Sequence, residues 1–580
     1  MTDPAPTSTP LAPPQGWPTP PIWQSRYNHP APWDQFFSPL SVHDMFFRSA
    51  GIRGDAPLLD FMGRRYSYTE TASGVARVAR GLQARGFGKG DKIGLFLPNV
   101  PHYVAAYYGI MAAGCTAVNF SPLYTVEELT AQVEDSETRL LFTVSASALL
   151  PTALKVLDQS RLEGLIVGSV AGALPTGISL FYRLFRGKEV TKPPEADPRI
   201  TAFSDLIDND GAFDRPTIHP QRDIALLQYT GGTTGVPKGA MLSHQNLTAN
   251  ARQVLKLDPH LGREDRILGV LPFFHVFANT CVLNRTVLAG GKIVTLPRFD
   301  AAATLAAITR TKATSMPGVP TMYQALLDHP KMKDTNFSSL RICISGGAPL
   351  PLELKQRFEM ASGAKLVEGY GLTESSGVVS ANPYEALNKP GTIGQPIPGT
   401  MVKLVDKEDP NRSPPPGEPG ELVFAGPQVM LGYWKRPDAD EEIFIDGFLR
   451  TGDVAEIDED GYIRIVDRLK DMIAVAGFKV FPSQIEALLY KHPAVKEALV
   501  IGVPDTYRGE SPKAFVTLHE AEEAGDMPLP AADALCAWLN AQLGKHERVS
   551  ALVIRDTLPK TMIGKLDRKA LRAEEAAQTS

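Results

Sequence analysis

Cysteine is scarce: four residues in a chain of 580, at Cys115, Cys281, Cys343 and Cys536, with no CxxC pair among them. That spacing supplies neither a disulfide framework nor a zinc ribbon, and a reducing compartment is its simplest home. Most of these thiols sit in apolar stretches such as the one from Met111 to Cys115, where a buried, inert sulfur is expected. No uninterrupted apolar run approaches the roughly 20 residues of a membrane span. A basic start is missing too, since the first basic residue is Arg26 and eight prolines fall between Pro4 and Pro21, so a secretory signal is not indicated. A cytoplasmic location is the expectation. Neither sign of charge dominates: 59 Lys+Arg face 64 Asp+Glu for a formal net charge of -5, which argues against a nucleic-acid partner.

What is present suffices for large cores, with 43% hydrophobic and 21% charged residues. The Pro-rich head, residues 1–39, reads as an arm that packs little. From about residue 91 to 314, short apolar runs (92–97, 140–144, 224–229, 292–296) alternate with helical ones such as 103–113. Alternation of that kind predicts layered α/β architecture with buried parallel sheet. After Gly391 shorter strands are separated by Gly, Pro and Asp, with hairpin turns at Asp446-Gly447 and Asp460-Gly461. This predicts a β-rich subdomain over about 391–468 inside a body spanning 40–468. Residues 469–580 read as a small mobile α+β domain, with its boundary near Arg468, Leu469 and Lys470.

The most informative stretch runs from Tyr229 to His244. Thr230, Gly231, Gly232, Thr233, Thr234 and Gly235 offer unhindered backbone N–H groups and hydroxyls, and Lys238 adds a cation. Such an inventory suits a polyphosphate. It is not the usual nucleotide P-loop, because GxxxxGK[ST] is absent and Pro237 removes a donor just before the lysine. From the residues alone, a flexible Gly/Thr connection is the competing reading.

Further strings follow in order: 271–277 (LPFFHVF), 345–349 (SGGAP), 368–374 (EGYGLTE), 449–453 (LRTGD), 466–473 (VDRLKDMI) and 558–565 (LPKTMIGK). Together with the Gly/Thr loop they closely resemble the adenylate-forming superfamily of acyl-CoA ligases, luciferases and peptide-synthetase adenylation domains. The resemblance covers nearly the whole chain from about residue 40. It implies ATP-dependent formation of an acyl-adenylate, followed by transfer of the acyl group to a thiol, with ATP and CoA as co-substrates and Mg²⁺ as the cation.

By that resemblance the loop from Thr230 to Lys238 surrounds the β- and γ-phosphates, Thr373 lies near the α-phosphate and Glu374 holds Mg²⁺, a cation that wants hard oxygen ligands. Tyr370 offers its face to adenine, while Gly346, Gly347 and Ala348, with Glu368, Gly369 and Gly371, let backbone approach the nucleotide. Asp453 and Arg468 take the ribose. Lys565 is the catalytic lysine of the first step, stabilising charge between carboxylate and α-phosphate. Its string carries Met562 where relatives often have Pro, Ala or Asn, a departure that leaves the lysine in register.

His275 is implied as a binding residue at the acyl carboxylate and not as a general base, because that carboxylate is already ionised near neutrality. Phe274, Val276, Phe277 and Val319 line the acyl pocket, Lys470 is the hinge, and Gly477 enters the site for the CoA step. The strings at 119–124, 227–232, 368–375 and 426–434 are especially similar to bacterial long-chain fatty acid–CoA ligases. The alternatives are a medium-chain or aryl acid, or a carrier-protein thiol. Residues 177–188 place Ile178, Phe181, Leu184 and Phe185 on one helical face beside Arg183, Arg186 and Lys188, which suits peripheral membrane contact as well as a helix packed on the body. A homodimer is left open.

Overall fold

Strands that are apolar at every position need cover on both faces, and this chain builds two such layers. The computed structural model describes residues 24–175, 191, 197–230, 237–260, 265–415, 417–476, 478–519, 529–561 and 564–579. Among them, one sheet of seven strands runs in the order Ile200–Ala202, Gly164–Gly168, Thr138–Val144, Lys92–Leu95, Thr116–Asn119, Ile224–Thr230, Lys238–Ser243. All its pairings are parallel except the last. A second sheet of nine strands has a parallel centre comprising Lys365–Tyr370, Ile342–Gly346, Ser315–Gly318, Arg266–Gly269, Lys292–Thr295 and Pro57–Phe61.

Helix Pro101–Ala112 is buried almost all round, as a helix without a polar face must be. Its Tyr103 hydroxyl donates to Asn119 Oδ1 in the first sheet at 2.8 Å and lies 2.9 Å from the carbonyl of Phe273, beyond a strand of the second. The two layers are thus stitched by one side chain.

A five-stranded sheet follows, Met401–Val405, Gly420–Ala425, Phe448–Ile457 and Phe444–Ile445 with Ile463–Arg468 on its long strand, all antiparallel. Asp446 and Gly447, at φ +48° and +79°, make the tight hairpin that the Asp-Gly pair predicts. This sheet starts at Met401; Gln395–Pro396 still pairs with Ser380–Ala381 in the nine-stranded sheet. The C-terminal sheet has its own core. Along Val495–Asp505, Ala498 and Val500 face helices Pro482–Leu489 and Ala532–Asn540, while Leu499 and Ile501 face Leu571 of Arg568–Thr579. A period of two therefore fills two apolar layers from one strand.

Residues 24–39 differ from the loosely packed arm the prolines suggest. Tyr27 donates to the carbonyl of Pro396 at 2.8 Å, Asn28 N donates to Gln395 Oε1 at 2.8 Å, and Phe37 is buried. Aromatic burial, which counting prolines does not register, decides the matter. Among the described residues no helix is long and apolar enough to cross a membrane.

One buried ion cluster ties the loop after His244–Leu255 to the second sheet. Arg285 meets Asp258 at 2.9 Å and Asp265 at 2.6 Å, and Arg341 reaches both at 3.1 and 3.4 Å. Burial opposes ionisation of Asp258, but the Arg341 hydrogen bond and the Arg285 charge outweigh it and hold this carboxyl below its usual range. Removing Arg285 leaves two buried carboxylates to share the half-exposed Arg341 alone. Arg285→Met should therefore cost about 3–5 kcal/mol, read as a lower first transition in calorimetry, and an unchanged transition would refute the cluster's weight.

Candidate active site

The Gly/Thr loop joins two strands of a hairpin. Thr230 pairs with Lys238, and the Thr230 hydroxyl lies 3.4 Å from the Lys238 carbonyl, so the loop's two ends are fixed together. Gly231, Gly232, Thr233, Thr234 and Gly235 lie outside the described residues. The Lys238 ammonium sits 5.3 Å from the ring centroid of Tyr433.

At the carboxyl end of Lys365–Tyr370 the chain turns back sharply. A Cβ at Gly371 would lie 2.0 Å from the Gly377 carbonyl, so only glycine permits this fold-back, which Val379 N closes by donating to the Tyr370 carbonyl at 2.8 Å. Thr373–Ser375 then forms a single 3-10 turn, with Leu372 N donating to Ser375 Oγ at 2.9 Å. Glu374 Oε1 accepts from the Tyr433 hydroxyl at 2.6 Å. Among the described residues nothing hydrogen-bonds Oε2, and no cluster of three metal-ligating side chains forms. One hard carboxylate with a free oxygen fits a cation that takes its remaining ligands from phosphate and water, as Mg²⁺ does.

The neighbouring strand ends at Gly346, and Gly347 and Ala348 follow it. A Cβ on Gly346 would meet the Phe277 ring at 3.1 Å, and one on Gly347, at φ +81°, would meet Lys565 Cε at 2.5 Å. Lys565, from the C-terminal domain, thus lies directly on this glycine floor. Its turn is fixed by Thr561 Oγ1, which accepts from Lys565 N at 3.2 Å, and by Thr321, whose hydroxyl donates across the domain boundary to the Gly564 carbonyl at 2.9 Å.

Tyr370 donates to Asp453 Oδ2, while Arg468 Nε lies 3.1 Å from Asp453 Oδ1, so the three residues read from separate strings form one contact group. Desolvation and the Arg468 charge push the Lys565 ammonium down to about 8 against the pull of Asp453. Glu368 accepts from Leu350 N at 3.2 Å, and burial pushes its carboxyl up to about 8. Gly369 pairs with Gly346 and Ala381.

His275 caps the short helix Val276–Ala278. Phe274, Val276 and Val319 are buried in the main core, whereas Phe277 is half-buried against Gly346. Lys470 lies in the turn Leu469–Asp471, whose Asp471 is held by Arg568 at 3.0 Å and Arg572 at 3.3 Å. Gly477 and the segment 177–188 lie outside the described residues. The sequence reading assigns no role to Thr321 or Tyr433, though the Gly-Tyr-Trp string at 432–434 was a usable signal for the second.

An AMP-binding enzyme model matches residues 46–434, and an AMP-binding enzyme C-terminal domain model matches 484–565; the chain belongs to this family. It is an α/β adenylate-forming enzyme. Along 95% of its length it is 38% identical to a long-chain-fatty-acid–CoA ligase of Bacillus subtilis, 98% of which is covered. A feruloyl-CoA synthase of an Amycolatopsis species is 36% identical over 90% of this chain and 96% of that one. The crystal structure of ATP-bound MatB from Rhodopseudomonas palustris superimposes with a TM-score of 0.80 at 28% identity, covering 93% of this chain and all of the other.

Desolvation, with the Lys565 charge adding to it, pushes the His275 imidazole down to about 3. It therefore stays neutral from about pH 8 to about pH 5, where an ordinary histidine gains a proton. In a histidine-labelled NMR spectrum, the signal lost in His275→Gln should hold one tautomer across that range. A titration midpoint near the ordinary value of about 6.5 would show that the ring is not enclosed as described.

Proposed function

We propose that this chain is a fatty acid–CoA ligase that favours long chains and works in two half-reactions. In the first, a carboxylate oxygen attacks the α-phosphorus of ATP, the α–β bridging P–O bond breaks, and pyrophosphate leaves. In the second, the CoA sulfur attacks the acyl carbon, the C–O bond to AMP breaks, and the thioester forms. The observation that carries the reading is Lys565, a cation delivered by the C-terminal domain onto the glycine floor beside Tyr370, Asp453 and Arg468. Charge that grows between two anions needs a cation already in place, and the Thr321–Gly564 contact holds this one there.

In this reading Thr230 to Lys238 grips the terminal phosphates, Thr373 approaches the α-phosphate, and Glu374 would hold Mg²⁺, which supplies charge neutralisation when bound. Asp453 and Arg468 orient the ribose. Tyr370 covers adenine, its hydroxyl already committed to Asp453. His275, kept neutral, binds the acyl carboxylate without taking its proton. For the second half-reaction the C-terminal domain rotates at Lys470, which withdraws Lys565 and brings in Gly477. The names of the Bacillus relative and of similar ligases support the long-chain acid; that of the Amycolatopsis relative favours an aryl acid as second reading.

Lys565→Ala should lower pyrophosphate release by more than about a hundredfold, while thioester formation from supplied acyl-adenylate stays within about threefold. The kcat/KM of the first step should fall as pH rises through about 8, because the lysine acts as a cation, and Lys565→Arg should remove that limb. Near-normal pyrophosphate release by the alanine variant sinks the assignment.

Substrate length gives a second outcome. At ~0.8 kcal/mol per buried methylene, four added carbons contribute about 3 kcal/mol, or roughly a hundredfold in kcat/KM, until the pocket is filled. Competition among octanoate, palmitate and a cinnamate-type acid measures it. Preference for the aryl acid overturns the long-chain reading and leaves the adenylation chemistry standing.

A further inference from the structure

The string at 426–434 carries part of the family resemblance, yet the reading above gives it no task. We propose that Tyr433 is a positioning residue that aims the Glu374 carboxylate and keeps the Lys238 ammonium off it, so that both are presented together to magnesium and polyphosphate. The inference rests on the roles proposed for Glu374 and Lys238.

Tyr433 is buried between the two charges. Its hydroxyl donates to Glu374 Oε1 at 2.6 Å and its ring lies 5.3 Å from Lys238 Nζ. An ammonium and a carboxylate flanking one side chain would otherwise pair and neutralise each other. Among the described residues Lys238 and Glu374 form no ion pair with one another. The ring face gives the lysine a weak, easily exchanged partner, and the hydroxyl occupies one carboxylate oxygen while leaving Oε2 free.

The placement of Tyr433 is itself fixed. Trp434 N donates to the Gly239 carbonyl at 2.8 Å and Met241 N to the Gly432 carbonyl at 2.9 Å, which sews this segment onto the strand that begins with Lys238. Met430 N donates to the Glu374 carbonyl at 2.8 Å, attaching the same segment to the Glu374 turn. Asp440 Oδ1 accepts from Tyr433 N at 2.7 Å, and a Cβ at Gly432, where φ is +140°, would lie 2.5 Å from Asp440 Oδ2. Glycine at 432 is therefore what lets Asp440 reach the tyrosine backbone. Lys238, Tyr433 and Glu374 are built as one unit from three distant strings.

The test is calorimetric titration of the full chain with ATP across a series of Mg²⁺ concentrations, without acid substrate, so that binding is read and not turnover. Losing a hydrogen bond to a charged group, Tyr433→Phe should raise the ATP Kd about tenfold and raise the Mg²⁺ concentration needed for half-saturation. In a Glu374→Gln background the same substitution should change the Kd by less than about twofold, because the coupled partner is already gone. Thioester formation from supplied palmitoyl-adenylate should stay within about twofold of the parent. Equal losses in both backgrounds, or a melting temperature lowered by more than about 5 °C, would make Tyr433 a structural residue and overturn the proposal. An unchanged Kd and Mg²⁺ dependence in Tyr433→Phe overturns it alone; if Glu374→Gln also leaves the Mg²⁺ dependence unchanged, the Glu374 assignment falls with it.

Discussion

The arrangement of the site depends on a helix that is buried and yet polar. His244–Leu255 follows the strand Lys238–Ser243 immediately, and its residues from His244 to Val254 are buried, including Gln245, Asn246, Asn250, Arg252 and Gln253. Buried amides are tolerated only with partners, and here the partners are the backbones of loops from distant parts of the chain. Asn250 exchanges two hydrogen bonds with Val378, at 2.9 and 3.0 Å, just beyond the Glu374 turn. Gln253 donates to the Pro398 carbonyl at 2.8 Å, with its amide also within 3.1 Å of the Thr400 and Gln428 side-chain oxygens, Asn246 donates to the Pro427 carbonyl, and Gln245 to that of Phe37. Ser376 Oγ then donates to the Gln428 carbonyl at 3.0 Å, closing a ring of bonds around Glu374. An apolar helix could fill the same space but could not satisfy these carbonyls, so the loops would lose their register.

This hub explains how a site drawn from strings two hundred residues apart keeps its geometry before any substrate arrives. The strand ends supply position: Thr230, Gly346 and Tyr370 each stand at the carboxyl end of a strand, where open α/β sheets place their ligands. The hub then supplies orientation to the loops beyond those ends. Preorganisation of this kind matters most for a reaction whose difficulty is charge, because donors already aimed need no reorganisation when charge develops.

The sequence was legible wherever a local rule sufficed. Short apolar runs located the strands at 92–95, 138–144 and 224–230, and the Asp-Gly pairs located two hairpins of the antiparallel sheet. The motif strings marked Tyr370, Asp453 and Arg468 separately; their joining into one contact group is a tertiary fact that no string contains. The packing of Tyr27 and the burial of Phe37 were hidden by the prolines before them, because composition reports the average of a segment and not its contacts. The polar hub was the hardest to see. Asn246, Asn250 and Gln253 share one helical face, and by the ordinary rule a polar face points to water. Only the loops that cover it reverse that rule.

In the function proposed above three cations share one polyanion site; they must first coexist without it, and each is held by a different device. Lys238 rests on the Tyr433 ring, Arg468 leans on Asp453, and Lys565 is left to desolvation, which pushes its ammonium down to about 8. The difference follows from where each group sits. Lys238 and Arg468 belong to the large body, where a permanent partner can be built beside them. Lys565 arrives from the other domain, and a strong carboxylate partner of its own would anchor that domain in a single pose. Among the described residues its domain is held instead by neutral hydrogen bonds such as that from Thr321 to Gly564 and by part-buried or exposed ion pairs, Lys496 with Asp328 at 3.2 Å and Lys479 with Glu408 at 2.9 Å. Contacts of that strength are individually worth about 1 kcal/mol. On the proposed mechanism, a lysine held so lightly is free to leave once the charge that attracts it has left as pyrophosphate.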